Sequence, residues 1–327
     1  MDEFKVFGHF LLIGESLSLL FYALADIIYS FMSNVGEIIV LIVVSLIASL
    51  GAGLGTGLAG LSAAAIIAPM LVTFLGINTY EAVAIALASD VIASAISAVV
   101  YARHKNIDIK NGLLMMTFVL IFCIVGTVIG LLFPQKTMGI ISIIGTTLIG
   151  LKFIIFPEKE GKEPKQRSPK VKIVLSIILG IWIGFQCGFV GVGGGMLMLF
   201  ALNVLLGYEL KKAVGTSVFI MSVTALTGSV CHFTLIALAN SNADIPAWLS
   251  KAIGETSNAG LIGMQTWKEW LIFGICVVFT ALFAQLSAVF ANKVSKRIQN
   301  LSTGIVVTVL GVGMLVFQLV QYLTSKG

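Results

Sequence analysis

Residues 188–195 read Gly-Phe-Val-Gly-Val-Gly-Gly-Gly, and Ala-Val-Gly-Thr-Ser follows at 213–217. Adjacent glycines let backbone N–H groups face a ligand with no side chain in the way. A helix starting just after Gly195 would aim the positive end of its dipole at the same point. Thr216 and Ser217 add hydroxyl donors. Gly191, Gly193, Gly194, Gly195, Thr216 and Ser217 therefore suit a small anion. Gln186 and Asn203 flank the loop and join the candidate set. Close helix packing is the other use of such glycines.

Asp90 is the one carboxylate deep in a hydrophobic segment. A carboxylate at that depth is expensive and usually functional. Asp90, Ser94, Ser97 and Tyr101 share one helical face. That stripe can line a pathway, with Asp90 carrying a proton or cation that travels with the anion. A cap on a broken neighbouring helix is its structural alternative. The matching later face runs through Ser217, Thr224, Gly228 and His232. Histidine is the side chain suited to proton traffic near neutral pH, so His232 is the second candidate for ion coupling.

The elements that must position these residues follow from composition. Of 327 residues 58% are hydrophobic and 11% charged, where soluble domains carry about 25% charged residues. The mean hydropathy is +1.06. A soluble globule cannot clothe itself with so few charges. This excludes a cytosolic enzyme, a nucleic-acid binder and a disordered chain. Hydrophobic segments fall at 37–57, 58–75, 81–102, 112–132 and 138–156, then at 172–188, 190–206, 213–235, 268–291 and 301–323. Between the two sets lies the charged run 157–170. Residues 8–33 form a further apolar stretch that either crosses or lies in the interface, because Glu15 and Asp26 interrupt it. Its acidic start is unlike a signal peptide. The four cysteines sit in apolar stretches without a CxxC pair, so no disulfide framework or zinc site is expected.

Most of the 20 Lys and Arg fall in alternate connections. They are Arg103, Lys105 and Lys110, then the run 159–172, then Lys211 and Lys212, then Lys293, Lys296 and Arg297. The positive-inside rule makes these connections cytoplasmic and the C-terminus external. The halves align without a gap at an offset of 131: Gly57 with Gly188, Gly60 with Gly191, Gly76 with Gly207, Ala82-Val83 with Ala213-Val214, and Tyr101 with His232. Five segments per half make the halves opposite in orientation, the signature of an inverted-repeat transporter. In 172–206 each arm of about 17 residues reaches ~26 Å, short of a ~30 Å core. Gly188–Gly195 would then be a hairpin tip near mid-membrane, opposed by a tip near Gly51–Gly60. The insertion 236–267, with Pro246 and Trp248 in a short helical stretch, has no counterpart and reads as an external lid or surface loop.

The Gly-Val-Gly-Gly-Gly stretch and the Gly-Thr-Ser about twenty residues later, in a duplicated unit, resemble the sulfite exporter TauE/SafE family, also called the toluenesulfonate uptake permease family. The resemblance spans roughly 37–323. Gly191, Gly193, Gly194, Gly195, Gly215, Thr216 and Ser217 match its second-half motifs. The first half departs, with Gly60-Leu61-Ser62-Ala63-Ala64 and Ala84-Ile85-Ala86 at the equivalent places. Pro69 keeps the family's proline, and Phe200 replaces it in the second half. The resemblance implies export or uptake of small sulfur-containing or organic anions. It adds Gly60 and Ser62 to the substrate-binding candidates.

The expected fold is therefore an all-α polytopic membrane protein of two inverted repeats, five hydrophobic segments each, with Gly-rich hairpin tips near mid-membrane. The expected domains are an N-terminal segment 1–36, a first repeat 37–156, a cytoplasmic linker 157–171 and a second repeat 172–323. The expected function is secondary transport of a small anion (sulfite, another sulfur oxyanion, or an organosulfonate or organic acid) in the plasma membrane, coupled to protons or another ion. An uncoupled channel or uniporter of the same fold is the alternative, and Asp90 is what discriminates. A membrane enzyme would need a nucleophile–base pair or metal cluster, and His9, His104 and His232 lie far apart with no HExxH. A cation carrier would rest on one deep carboxylate, a poor cage. No cofactor and no metal are expected. The expected partners are the anion and the lipid bilayer, with no nucleic acid; a homo-oligomer is compatible with the sequence.

Overall fold

The computed structural model describes residues 35–130, 168–190, 194–239 and 267–324, with Ile144, Leu148, Leu151 and Ile155. The segment at 8–33, most of 138–156, the linker before Ser168, Gly191–Gly193 and most of the 236–267 insertion lie outside the described residues. The chain divides into two compact units, Met1–Val43 and Val44–Gly327. The described part of the first is the opening of one helix, where Ile39 and Val40 are exposed. The contacts given below lie within the second.

The described residues form helices and no strand. They are α1 Val35–Ala59, α2 Ala64–Leu75, α3 Thr79–Arg103, α4 Ile109–Gly130, α5 Pro169–Val190, α6 Gly194–Phe200, α7 Leu210–Ala239, α8 Trp267–Lys293 and α9 Lys296–Thr324. Six stretches, within α1, α3, α4, α5, α7 and α8, are long and apolar enough to cross a bilayer. The chain is a multi-pass membrane protein. Val171, Val174, Ile178 and Trp182 run down one exposed stripe of α5, as lipid contact requires.

Two of the expected segments are not single spans. The first hairpin turns at Gly60–Ala63, later than the Gly51–Gly60 tip expected from sequence. Gly60 takes a left-handed φ of 63°. The Gly60 N–H returns to the Thr56 carbonyl at 2.9 Å and the Leu61 N–H to Gly55 at 3.1 Å; the first of these is the bond of an αL cap, which closes α1. The earlier glycines stay helical because they pack. α2 then has 12 residues, about 18 Å of rise. α6 and the π-helical turn Ala201–Leu205 that continues it have the same combined reach. Pro69 breaks the helical ladder inside α2; 131 residues on, the π turn begins just after Phe200.

Both short arms end alike. Gly76 and Gly207 have φ of 66° and 74°. The Ile77 N–H returns to the Leu71 carbonyl at 3.4 Å, and the Tyr208 N–H to Leu202 at 2.9 Å. The next helices open with Ala82 N–H on Asn78 and Ala213 N–H on Glu209, both at 2.8 Å. At these two turns the bonds correspond at the 131-residue offset read from sequence.

Small-residue stripes set the helix crossings. On α1, Gly53 and Gly57 abut α8. A Cβ on Gly53 would stand 2.8 Å from the Thr280 carbonyl oxygen, and one on Gly57 2.6 Å from the Ala288 nitrogen. On α5, Gly184 and Gly188 abut α4, with a Cβ falling 2.8 Å from the Val119 Cα and 2.6 Å from the Thr127 nitrogen. Gly53 and Gly57 plus 131 are Gly184 and Gly188. Residue numbers rise together in both pairs, so each pair is parallel. Helices α3 and α7, which also correspond at that offset, pack against each other. There Gly215 meets Tyr101 while Gly228 meets Leu87, so these two run antiparallel. Lipid tails are as apolar as Leu, and close backbone approach of this kind is what drives association in a bilayer.

Candidate functional site

The turn Gly60–Ala63 and the start of α6 meet beside the middle of α3. The Gly195 backbone abuts the Gly60 carbonyl, the Ser62 nitrogen and the Met221 sulfur, so a Cβ there has no room. Gly60 is equally confined, by the Ser217 hydroxyl. The Ser62 hydroxyl donates to Oδ2 of Asp90 at 2.5 Å, and the Ala64 N–H faces the Ser62 oxygen at 3.3 Å. The Ala63 amide also faces the carboxylate. Asp90 is 1% exposed, and its Oδ1 has no hydrogen-bond partner. An ionised carboxylate has room for about four donors, so a buried oxygen without one is out of the ordinary.

Five sequence candidates thus come together: Gly60, Ser62, Asp90, Gly195 and Ser217. The Ser217 hydroxyl itself donates to the Val214 carbonyl at 2.8 Å. Met221 stands 131 residues after Asp90, so the site has a carboxylate on one side and a thioether on the other. Further along the Asp90 stripe, Ser94 donates to the Asp90 carbonyl at 2.5 Å and Tyr101 to the Gly57 carbonyl at 3.0 Å. The Ser97 hydroxyl is buried without a partner. Asp90 is not the only buried carboxylate, since Glu81 in the first turn of α3 is buried too.

Other candidates sit elsewhere. Gly191 and Gly193 lie outside the described residues. α6 begins at Gly194, not after Gly195, and a Cβ on Gly194 would press into Ile183 of α5. Gln186 is half-buried on α5. Thr216 points toward the α3–α4 loop, where its hydroxyl oxygen accepts the Asp108 N–H at 3.0 Å. Asn203 donates to the Tyr208 carbonyl at 3.0 Å and braces the turn after α6. His232 is buried, its Nδ1 2.8 Å from the Gly228 carbonyl one turn back.

Asp108 and Tyr208 were not singled out in the sequence. The Tyr208 hydroxyl donates to Asp108 Oδ2 at 3.0 Å, Asn111 donates to both carboxylate oxygens, and Lys172 lies over the Tyr208 ring. Burial pushes the Asp108 carboxyl up, but the Asn111 bonds, the Tyr208 hydroxyl and nearby Lys212 outweigh it and hold the group below its ordinary value. Asp108 immediately precedes α4 and caps it, a signal readable in sequence; the reach of Tyr208 across 100 residues is not. A depressed carboxyl stabilises the fold above its unfolded pKa, and that contribution disappears as pH falls through the folded one. Melting of the purified protein on acidification should therefore show an Asp108-dependent step below the ordinary carboxylate range. Asp108→Asn should flatten it; an unchanged profile would deny the clasp any stabilising role.

A family model for the sulfite exporter TauE/SafE matches residues 45–314. This chain belongs to the TauE/SafE family. The TauE/SafE match takes in both short-arm hairpins and all five residues gathered at Asp90. Among curated proteins the chain is 28% identical over 153 residues to the probable membrane transporter protein YunE of Bacillus subtilis (strain 168), covering 42% of this chain and 55% of that one. It is 28% identical over 152 residues to a probable membrane transporter protein of Haemophilus influenzae, covering 44% and 54%. With YdhB of B. subtilis, also named a probable membrane transporter, it shares 22% over 179 residues, covering 54% and 72%. The chain spans about half the length of YunE and of the Haemophilus influenzae protein. No solved structure matches.

Proposed function

We propose that this TauE/SafE chain is a secondary transporter of a small anion, with sulfite, another sulfur oxyanion or an organosulfonate as the substrate class. The observation that carries the reading is the meeting of the Gly60–Ala63 turn and the start of α6 beside a buried carboxylate whose second oxygen lacks a donor. Irregular backbone at membrane depth is tolerated only where it is buried in protein or lines a cavity. Gly60, Ser62, Gly195 and Ser217 are the proposed anion contacts, Gly191 and Gly193 remain sequence candidates for that role, and Asp90 is the proposed coupling group. Thr216, Asn203 and His232 act in this reading as braces for the elements that hold the site.

The repeats are proposed to be inverted. Two helices related by a two-fold axis along the membrane normal run parallel, whereas an axis in the membrane plane makes them antiparallel. The antiparallel packing of α3 on α7 supports the second. The proposed repeats are 37–156 and 172–323. Lysine and arginine placement supports a cytoplasmic linker 157–171 and an external loop 236–267. The relatives' names as membrane transporters support transport over enzyme chemistry.

Flux into proteoliposomes tests this, using a panel of sulfite, thiosulfate, methanesulfonate and acetate, each with and without a pH gradient. Uptake of at least one anion, concentrated when a gradient is imposed, is the expected result. Downhill flux that ignores the gradient would favour an uncoupled channel. No flux of any anion would sink the reading.

A further inference from the structure

We propose that Ser62 is the residue that couples Asp90 to the anion, by reversing the direction of their shared hydrogen bond. This rests on the transport reading above and names the device by which its site is regulated.

A serine hydroxyl has one hydrogen to donate and two lone pairs to accept with. In this structure the hydrogen is committed: it points at Oδ2 of Asp90, 2.5 Å away. One lone pair faces the Ala64 N–H. With Asp90 ionised, Ser62 therefore has no hydrogen left for a substrate. When Asp90 takes a proton on Oδ2, the bond must turn round. The acid O–H now donates and Ser62 accepts. Both serine lone pairs are then occupied, by Ala64 and Asp90, and the serine hydrogen is released. It can donate to an anion seated against the Gly195 backbone, which abuts the Ser62 nitrogen and the Gly60 carbonyl. Proton and anion thus arrive together: the proton ends on Asp90 Oδ2, and no covalent bond to the anion forms.

Two features of the surroundings favour this. Oδ1 of Asp90 is buried without a partner, so the ionised form is short of donors, and a proton on Oδ1 would find no acceptor whereas one on Oδ2 has the Ser62 oxygen. The spanning residues on α1, α2 and α3 include no Lys, Arg or His between Gly36 and Ala102. Among the described residues, the Cys187 thiol of α5 is a titratable group that interacts with Asp90 from another element. At the position 131 residues after Asp90, Met221 offers neither proton nor acceptor of comparable strength, and Gly193 stands where Ser62's counterpart would be. At the 131-residue offset the coupling pair therefore exists once, in the first half.

The experiment uses the full-length protein in detergent with methanesulfonate as probe, an anion that does not itself titrate near neutral pH. Proton uptake on binding is read with an indicator dye in weak buffer. Wild type should take up a proton with each anion bound. Ser62→Ala should bind methanesulfonate about tenfold more weakly, the loss of one hydrogen bond to a charged group, and without linked proton uptake. Ser62→Thr should restore both. Infrared titration supplies an arm that needs no ligand. As pH falls, the Asp90 acid should show a carbonyl band free of hydrogen bonding, absent in Asp90→Asn and unmoved in Ser62→Ala. A hydrogen-bonded acid carbonyl that becomes free in Ser62→Ala would mean that Ser62 keeps donating after protonation, and would overturn the proposal. So would wild-type proton linkage in Ser62→Ala, or anion binding to wild type without proton uptake. Should methanesulfonate fail to bind wild type, the infrared arm still decides on Ser62, while the flux panel decides on transport.

Discussion

Asp90→Asn is expected to abolish pH-driven accumulation of anion and to leave anion exchange running. Asn is close in shape to the protonated acid and cannot lose a proton. Its side-chain N–H can take over the donor role toward Ser62, which keeps the serine hydrogen free for substrate. Exchange at equal concentrations on both sides needs no net proton movement and should persist within a few-fold of wild type. Uphill uptake should fall to the level seen without a gradient. The rival account treats Asp90 as a brace for the Gly60–Ala63 turn. It expects something different: a lower melting temperature and loss of exchange and accumulation together. Paired uptake and exchange assays on one reconstituted preparation separate the two.

Gly195→Val is expected to remove transport altogether. Even the first carbon of a side chain at Gly195 would collide with the Gly60 carbonyl and the Ser62 nitrogen, which are backbone atoms of another segment and cannot swing aside. Overpacking of this kind costs roughly 1–3 kcal/mol, enough to lower the melting temperature by several degrees. The transport loss should exceed what the stability loss explains, because the Gly60–Ala63 turn and α6 must separate for the side chain to fit. Gly274→Ala and Gly313→Ala are the controls, since neither position has an atom within 4 Å of the added carbon. Both should melt and transport as wild type does. Wild-type flux in a folded Gly195→Val protein would move the site away from this junction.

What the sequence revealed and what it hid follow from the kinds of interaction involved. The correspondence between Gly76 and Gly207 is legible because backbone turns demand particular residues at fixed places: both glycines end their helices in left-handed conformations that few other residues adopt. Asp90 is legible because a carboxylate in apolar sequence has few cheap explanations. The position of the first turn is less so. Gly51, Gly53, Gly55, Gly57 and Gly60 look alike as letters, yet Gly53 and Gly57 serve the α8 crossing and only Gly60 has a positive φ. Helix-packing and chain-reversing glycines differ by what lies opposite them, and that is tertiary information. Thr216 and Asn203 illustrate the same gap. Their types suit an anion, but the helical phase turns Thr216 toward Asp108 while its neighbour Ser217 faces Gly60. The Tyr208–Asp108 bond joins residues 100 apart in sequence, and no local pattern carries that pairing.

The most direct measurement of the account is substrate protection at the junction itself. Ser62→Cys, placed in a background where Cys123, Cys187, Cys231 and Cys276 are replaced, would be reacted with N-ethylmaleimide in proteoliposomes, with and without the anion that the flux panel shows to be carried. The account expects slow alkylation that slows further, in proportion to site occupancy, as that anion is added. An alkylation rate indifferent to a saturating concentration of a transported anion would contradict it.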